Sequence, residues 1–348
     1  MPPIGASTIS ARANREEIMK FTKLTCVALT AIGAATGAAI GSMAAASGSM
    51  AAERVLSGAS SFPTGHIFSV KFERFVKALN EKGKGVLKID YKGGAPAIGS
   101  PFTLGAKVQQ GAFDIITITG PYYASVVPEA QALQLAEIPI QEQRKNGAFD
   151  YVNKVHMAKG IYYLGRTFNT VFHVYLKNPI KSPQLKGLHL RIAPHHRDFI
   201  TALGATAQRS NLAEIYTYME NGTIDGFAWP AQGFLPDWYK VTKYRVDPSF
   251  YTPAMHVLVN LKTWKSLSGK QQKLLNDLIV EFETTNAQEQ RAGDAAAWKK
   301  MADKGVKVIE FKGADREKWL TTAKQTAWAG IAKRSPEHGP ALRKLLAK

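Results

Sequence analysis

Residues 185–229 read LKGLHLRIAPHHRDFITALGATAQRSNLAEIYTYMENGTIDGFAW. A short apolar strand is predicted near the start of this stretch. Side chains alternate along a strand, so Leu188, Leu190 and Ile192 share one side of it. Arg191 then lies on the opposite side, where its charge is expensive to bury unless a negative group meets it. This arginine is therefore the first candidate for binding an anion.

The residues after this strand predict a repeated strand–helix pattern. Pro194 ends the strand, and helices are predicted over residues 195–203 and 211–220. Residues 223–226, Thr-Ile-Asp-Gly, are predicted to form a strand and turn. Strands that alternate with helices favour a parallel α/β unit, which binds ligands beyond the carboxyl ends of its strands. Arg191 is placed near such an end.

The segments LKGLHLRI, LGAT, AEIY and IDG, in this order, resemble the second domain of the DctP-like (dicarboxylate-type) solute-binding proteins of TRAP transporters. Proteins of that family are periplasmic receptors that hand small organic anions to a sodium-coupled membrane permease. The resemblance implies that Arg191 pairs with the carboxylate of a ligand through its planar guanidinium. A structural ion pair with a nearby Asp or Glu is the alternative.

The first part of the chain predicts a second βα unit. Strands are predicted over residues 54–60, 86–91 and 112–118, with helices around residues 68–79 and 102–110. The first helix carries an apolar stripe formed by Phe68, Phe72, Phe75, Val76 and Leu79. The segments LKIDY, GGAPAIGS and QQGAFDI resemble the first domain of the same family.

The predicted fold class is α/β, a two-domain periplasmic-binding-protein fold of type II-like arrangement, with two βα domains joined by hinge strands and a long bracing helix. Extended crossings near residues 169–175 and 251–260 form the hinge. A helix after Ser268 runs to about Lys304, and Gly293 is expected to kink or interrupt it. The tail is expected to pack on the second domain. The predicted divisions are residues 1–52 (signal peptide and upstream residues), 53–170 with 256–297 (domain I) and 171–255 with 298–348 (domain II).

Residues 19–52 have the features of a secretory signal: a short basic start, an apolar run and small residues before Ala52. Met19 is a candidate start, which would leave the first 18 residues outside the protein; a retained membrane anchor is the alternative to cleavage. The only cysteine, Cys26, lies inside this signal. Removal of the signal therefore excludes disulfides, thiolate metal sites and a cysteine nucleophile.

The formal net charge is +18, and removal of residues 1–52, with four basic and two acidic residues, leaves +16. Such a balance favours anionic partners. Nucleic acid is one alternative, but there is no run of more than two consecutive Lys or Arg and no recognition motif. A basic surface that serves only solubility is another. A periplasmic anion-binding protein, without nucleic acid and without a membrane span after signal removal, is the simpler interpretation.

Two departures from the family pattern bear on the ligand. Trp229 stands in the region where many members carry an asparagine; its indole could stack on a planar ligand and donate one N–H, or pack in the core. Val171 stands near a position where some members carry an arginine. Arg166, Asn169 and His173 are therefore candidates to compensate, each with a structural role as the alternative. Together these departures predict a less hydroxylated, more apolar or aromatic carboxylate.

Five further ligand-binding candidates come from loops after predicted strands of the first domain. They are Phe62, His66, Thr119, Tyr122 and Tyr123. Aromatic rings beside hydroxyl groups suit an apolar pocket with a few polar contacts. Surface or core positions are the alternative for each of them.

No catalytic residue, metal site or cofactor is predicted. His195 and His196 are adjacent and lack the spacing and acidic partner of a zinc motif. Residues 94–100 have phosphate-loop glycines, but Ser100 occupies the lysine position. The predicted function is a periplasmic receptor that delivers a small organic carboxylate to a TRAP-type permease. The alternatives are an enzyme of the same fold and a receptor for an ATP-driven importer.

Overall fold

A computed structural model describes residues 53–347. The predicted export signal, its anchor alternative and the candidate start at Met19 lie outside the described residues.

Eleven strands and eleven α-helices are found in residues 53–347. The strands are β1 (Arg54–Ser60), β2 (Leu87–Gly94), β3 (Ile115–Thr119), β4 (Ile161–Asn169), β5 (Phe172–Leu176), β6 (His189–Ile192), β7 (Thr206–Arg209), β8 (Gly226–Pro230), β9 (Tyr244–Asp247), β10 (Ala254–Asn260) and β11 (Lys307–Glu310). The helices are α1 (Ile67–Lys82), α2 (Leu104–Gln110), α3 (Ile140–Lys145), α4 (Ala148–Met157), α5 (Arg197–Ala202), α6 (Ile215–Glu220), α7 (Trp238–Val241), α8 (Leu261–Ser266), α9 (Gly269–Asp303), α10 (Gly313–Arg334) and α11 (Gly339–Leu346).

The strands form two sheets, each the centre of one lobe. The first has the order β2-β1-β3-β10-β4, with β1 parallel to both β2 and β3. The second has the order β11-β9-β5-β8-β6-β7, with β6 parallel to both β7 and β8. The parallel units predicted around Arg191 and in the first part of the chain are therefore confirmed. The predicted domain limits stay a prediction.

A strand and turn are predicted at residues 223–226, but the strand lies further along the chain: β8 begins at Gly226. The preceding residues have local hydrogen bonds instead. Thr223 donates its backbone N–H to Asn221 Oδ1, and the Asp225 carboxylate accepts from the backbone N–H of His189 at 2.7 Å. The side-chain contacts hold this segment in a turn, and the buried run from Gly226 to Pro230 supplies the strand.

Two buried apolar clusters stabilise the lobes. One fills the space between α1, α9 and one face of the first sheet, and includes Phe72, Leu79, Leu275 and Ile279. The predicted stripe of α1 is buried throughout. The other cluster is continuous from the first lobe into the second. Burial of this kind supplies most of the favourable free energy of folding.

The chain passes between the sheets at short crossings that pair with one another. Thr170 and Val171 connect β4 to β5, and residues 248–253 connect β9 to β10. Phe172 donates its backbone N–H to the Tyr251 carbonyl at 2.9 Å, and Phe250 donates back to the Phe172 carbonyl at 3.1 Å. These are the paired extended crossings predicted from the sequence.

Helix α9 is continuous over 35 residues and begins with a capping box formed by Ser268 and Gln271. The expected interruption at Gly293 does not occur. This glycine instead lets a neighbour approach, since a Cβ placed there would lie 2.6 Å from Gln232 Oε1. The absence of a side chain at Gly293 therefore serves packing of the helix against the second lobe.

The carboxyl-terminal helices contact both lobes, not the second alone as expected. Helix α10 packs on α5 and on the 3₁₀ helix Pro128–Leu135, whereas α11 packs on that 3₁₀ helix and on α4. Their apolar residues, such as Trp328 and Leu346, are buried in the continuous cluster. Sequence proximity to the second lobe did not reveal this position.

None of the helices within residues 53–347 is both long and apolar enough to span a membrane.

The close approach at Gly226 gives a stability prediction. A Cβ at this position would lie 2.3 Å from the Tyr175 carbonyl oxygen in the paired strand β5. Gly226→Ala should lower the free energy of unfolding by about 2 kcal/mol, measured by denaturant titration. Gly269→Ala is the control, because a Cβ there meets nothing within 4 Å. Equal stability of the two variants would contradict the packing described here.

Candidate functional site

A cavity lies where the carboxyl ends of four strands meet the two crossings. Its walls come from the residues after β1 and β3 in the first lobe and from the ends of β6 and β8 in the second. The space not filled by atoms in the cavity and at its opening to solvent is about 450 Å³. This is the position at which parallel α/β sheets bind ligands.

Arg191, on β6, supplies the positive charge of this cavity. Its side chain is only 2% exposed. One guanidinium N–H donates to the Ser210 carbonyl at 2.6 Å, and Nε has no partner. The half-buried Arg144 pairs with Glu283 and the buried Arg245 pairs with Asp247, but within residues 53–347 no carboxylate forms an ion pair with Arg191.

The electrostatic environment of Arg191 reflects this missing partner. Burial lowers the pKa of its guanidinium, and the Tyr122 hydroxyl and the Glu214 carboxylate partly oppose that shift. Burial likewise raises the pKa of Tyr122, and the Arg191 charge opposes it. The guanidinium remains charged at every pH at which proteins are folded, so an anion is the missing complement.

The remaining walls are mainly aromatic. Phe62 stacks on Tyr122 with ring centroids 5.6 Å apart, and Phe68 contacts Trp229 and Phe168 at 6.0 and 5.2 Å. The other lining residues are Thr119, Thr170, Phe172, Ala193, His195, His196, Ala228, Pro230, Pro253, Ala254 and Met255. Such a surface favours the apolar part of a small molecule through burial of area.

Trp229 lines the cavity, but its indole N–H is used within the protein. It donates to the Gly233 carbonyl at 3.2 Å, which leaves the ring to contact a ligand only through its apolar surface. The centroid of the ring lies 5.5 Å from the Arg191 guanidinium carbon. The indole therefore positions the arginine and offers a stacking surface, without the expected hydrogen bond.

The structure brings together five of the ten residues predicted to bind ligand. Arg191, Trp229, Tyr122, Thr119 and Phe62 all line the cavity.

His66 lies behind the cavity wall. Its ring stacks on Phe62 at 5.4 Å and meets Phe68 at 4.8 Å. As the N-cap of α1, it accepts the backbone N–H of Phe68. Burial lowers its pKa to about 4.

Four predicted ligand-binding residues lie away from the cavity wall. The Tyr123 hydroxyl bonds to His156 Nε2 at 3.0 Å and to His256 Nδ1 at 2.8 Å. The Arg166 backbone N–H donates to Glu283, near which its side chain is also buried.

The other two contact the long helix α9. Asn169 accepts a hydrogen bond from Asn286 at 2.7 Å, and His173 accepts one from the Trp298 indole at 3.3 Å. Their polar groups hold the crossing segment against the helix.

Several cavity residues escaped the sequence interpretation. Thr170 lies in the first crossing, and Phe168 and Phe172 lie on either side of it. His195 and His196 follow β6. The two histidines lie just after the strand that carries Arg191, and this position in the sequence indicates that they lie at the ligand-binding edge of the sheet. Residues 53–347 contain no cluster of His, Cys, Asp or Glu that could hold a metal ion.

Residues 59–334 match the sequence profile of the bacterial extracellular solute-binding proteins, family 7 (DctP). A monocarboxylate 2-oxoacid-binding periplasmic protein of Nostoc sp. is 28% identical over 142 residues, and the match spans 39% of each chain.

Two solved structures share the fold. An extracytoplasmic solute receptor of Bordetella pertussis that binds pyroglutamic acid has a TM-score of 0.72 at 16% identity, over 84% of this chain and 99% of that one. A TRAP periplasmic solute-binding protein of Desulfovibrio salexigens with bound orotic acid has a TM-score of 0.73 at 19% identity, over 84% and 97% of the two chains. These similarities confirm the predicted two-domain periplasmic-binding-protein fold.

The chain belongs to the extracellular solute-binding proteins of family 7, as its sequence resemblance predicted. The members of this family are binding proteins of the bacterial cell exterior.

Buried histidines near the cavity and in the first lobe give a pH prediction. Burial lowers the pKa of His66 and of His156 to about 4, below the ordinary 6.5. The unfolded chain therefore binds more protons between these values, and stability falls as the pH is lowered from 6.5 toward 4. The free energy of unfolding should drop by more than about 2 kcal/mol between pH 6.5 and 5, measured by denaturant titration.

The control for this prediction is the range from pH 8 to 9, where these imidazoles are neutral in both the folded and the unfolded state. His156→Gln should make the slope below pH 6.5 shallower. A constant free energy of unfolding from pH 8 to 5 would contradict the assignment of neutral, buried imidazoles.

Proposed function

We propose that this family 7 protein is a periplasmic receptor that captures a small organic carboxylate between its two lobes and delivers it to a TRAP-type permease. Arg191 binds the carboxylate. The aromatic walls contact the rest of the ligand, and no chemical step follows.

The observation that carries this proposal is the unpaired guanidinium of Arg191. A buried cation without a negative partner is costly, and Nε still has a hydrogen-bond donor to offer. A carboxylate presents two oxygens that match the planar fork of an arginine. Its binding would complete the charge balance that the protein itself lacks.

The walls support a ligand with an apolar remainder. Phe62, Phe68, Phe172 and Trp229 all contribute rings to the cavity. Three relatives have ligands of this class: the Nostoc protein is named for monocarboxylate 2-oxo acids, and the Bordetella pertussis and Desulfovibrio salexigens proteins bind pyroglutamic and orotic acids. A small acid with a planar or apolar body fits these walls better than a heavily hydroxylated one.

The position of the cavity supports capture by closure. Its wall includes residues of both lobes and of both crossings, so a rotation at the crossings would open it to solvent. In the closed form the walls exclude water, which strengthens the attraction between guanidinium and carboxylate. Binding and closure are therefore coupled, and the permease would receive the closed, loaded form.

Arg191→Ala should abolish or strongly weaken carboxylate binding. Removal of one partner of a buried charge pair should reduce affinity at least about 30-fold. The measurement is calorimetry on residues 53–348 with any hit from a thermal-shift screen of mono- and dicarboxylates, 2-oxo acids and aromatic acids.

Arg197→Ala is the matched control, because Arg197 lies six residues further on, at the start of α5, and its side chain is exposed. Unchanged binding in Arg191→Ala would refute the assignment of the anchor. Conversion of the bound acid to a new product, followed by NMR, would refute the receptor function and favour an enzyme of this fold.

A further inference from the structure

His195 and His196 are two polar residues in the cavity wall whose hydrogen-bonding capacity the protein leaves unused. They are 7% and 0% exposed. Within residues 53–347, neither ring nitrogen of either histidine has a hydrogen-bond partner. Buried polar groups are normally paired, because an unmet donor or acceptor is costly. Four unpaired ring nitrogens beside one cavity point to a ligand that meets some of them.

The local packing holds both rings in place. Their centroids lie 3.7 Å apart, and His196 meets the ring of Phe172 edge-on at 4.4 Å. Phe250 and Tyr251 contact His196 from the crossing that leads to β10. The rings therefore present their nitrogens from a rigid aromatic setting.

Burial, together with the positive charges nearby, keeps both rings neutral. Burial lowers the pKa of both histidines well below 6.5, and the positive charge of Arg191 on β6 lowers it further. Arg334, on α10, acts on His195 in the same direction, and its own carboxylate partner is Asp198 on α5. A neutral imidazole offers one N–H donor and one acceptor nitrogen.

The charge of the cavity wall is therefore +1 in neutral solution. Among the lining residues, which all lie within residues 53–347, Arg191 alone is charged. One carboxylate balances that charge. A second carboxylate in the same closed space would be buried without a cationic partner.

We propose that His195 and His196 are ligand-binding residues that hydrogen-bond an uncharged polar group of a monocarboxylate, such as an oxo or hydroxyl oxygen, and that they disfavour dicarboxylates. This inference rests on the proposed function, because it places the first carboxylate on Arg191.

A dicarboxylate enters this site only with a proton. Two negative charges on the ligand are balanced when one imidazole takes a proton from solvent and joins the guanidinium as a second cation. The affinity for a dicarboxylate then decreases about tenfold for each unit of pH above neutrality, because one proton is bound with the ligand. The affinity for a monocarboxylate does not change with pH in that range.

Two sets of acids with matched carbon chains test the proposal by calorimetry. The five-carbon set is valerate, 2-oxovalerate and 2-oxoglutarate, and the three-carbon set is propionate, pyruvate and malonate. In at least one set, the oxo acid should bind about tenfold or more tightly than the plain acid, the equivalent of one hydrogen bond. At pH 8 the oxo acid should also bind more tightly than the dicarboxylate. Binding of the dicarboxylate should take up close to one proton, which is measured by calorimetry in buffers of different ionisation enthalpy.

His195→Phe and His196→Phe keep a ring of similar size and remove the nitrogens. At least one of these variants should lose the preference for the oxo acid and keep its affinity for the plain acid. Equal loss for both acids would show a structural role and overturn the proposal. A dicarboxylate that binds as tightly at pH 8 as the oxo acid, or without proton uptake, would also overturn it.

The failure of this inference is distinguishable from failure of the proposed function. Binding that requires Arg191 but shows no oxo-acid preference overturns only the role of the histidines. Binding that persists in Arg191→Ala overturns this inference together with the assignment of the anchor. Absence of binding by all six acids overturns this inference, and the wider screen of acids then tests the proposed function by itself.

Discussion

A positive charge buried without a negative partner is the constraint on which the rest of this structure depends. Arg191 is held at the end of β6 by the Ser210 carbonyl and the ring of Trp229. Elsewhere in the described chain, the buried Arg245 and the half-buried Arg144 pair with carboxylates. Arg191 differs from them in facing the cavity, where a bound anion can supply the missing negative charge. The free energy of ligand binding offsets the cost of burying the Arg191 charge without a negative partner.

The long helix α9 preserves the geometry around this charge. The Thr170 hydroxyl and the Gln232 amide both donate to Asp294 on this helix, at 2.7 and 2.8 Å. Burial raises the pKa of Asp294. These bonds tie the first crossing and the loop after β8 to one rigid element. Thr170, which lines the cavity, is therefore held in place from behind by the long helix.

Local patterns in the sequence predicted much of this arrangement, because they depend on near neighbours. The apolar stripe of α1 and the position of Arg191 on its strand follow from side-chain periodicity alone. The roles of Asn169 and His173 do not follow from local periodicity, since both residues contact α9 more than a hundred residues further along the chain. The position of His195 and His196 after β6 can be read from the sequence. Their role in ligand binding is inferred from ring nitrogens that lack hydrogen-bond partners. Only the packed structure reveals such an absence.

The path of the chain between the sheets has a consequence for how such proteins diversify. The backbone changes lobe at residues 170–171, again at residues 248–253, and a third time between α9 and β11. Each lobe is therefore assembled from separate pieces of the gene. A single recombination joint between two relatives cannot exchange one lobe intact. New ligand preferences are more readily reached by replacing individual side chains at the strand ends than by shuffling modules.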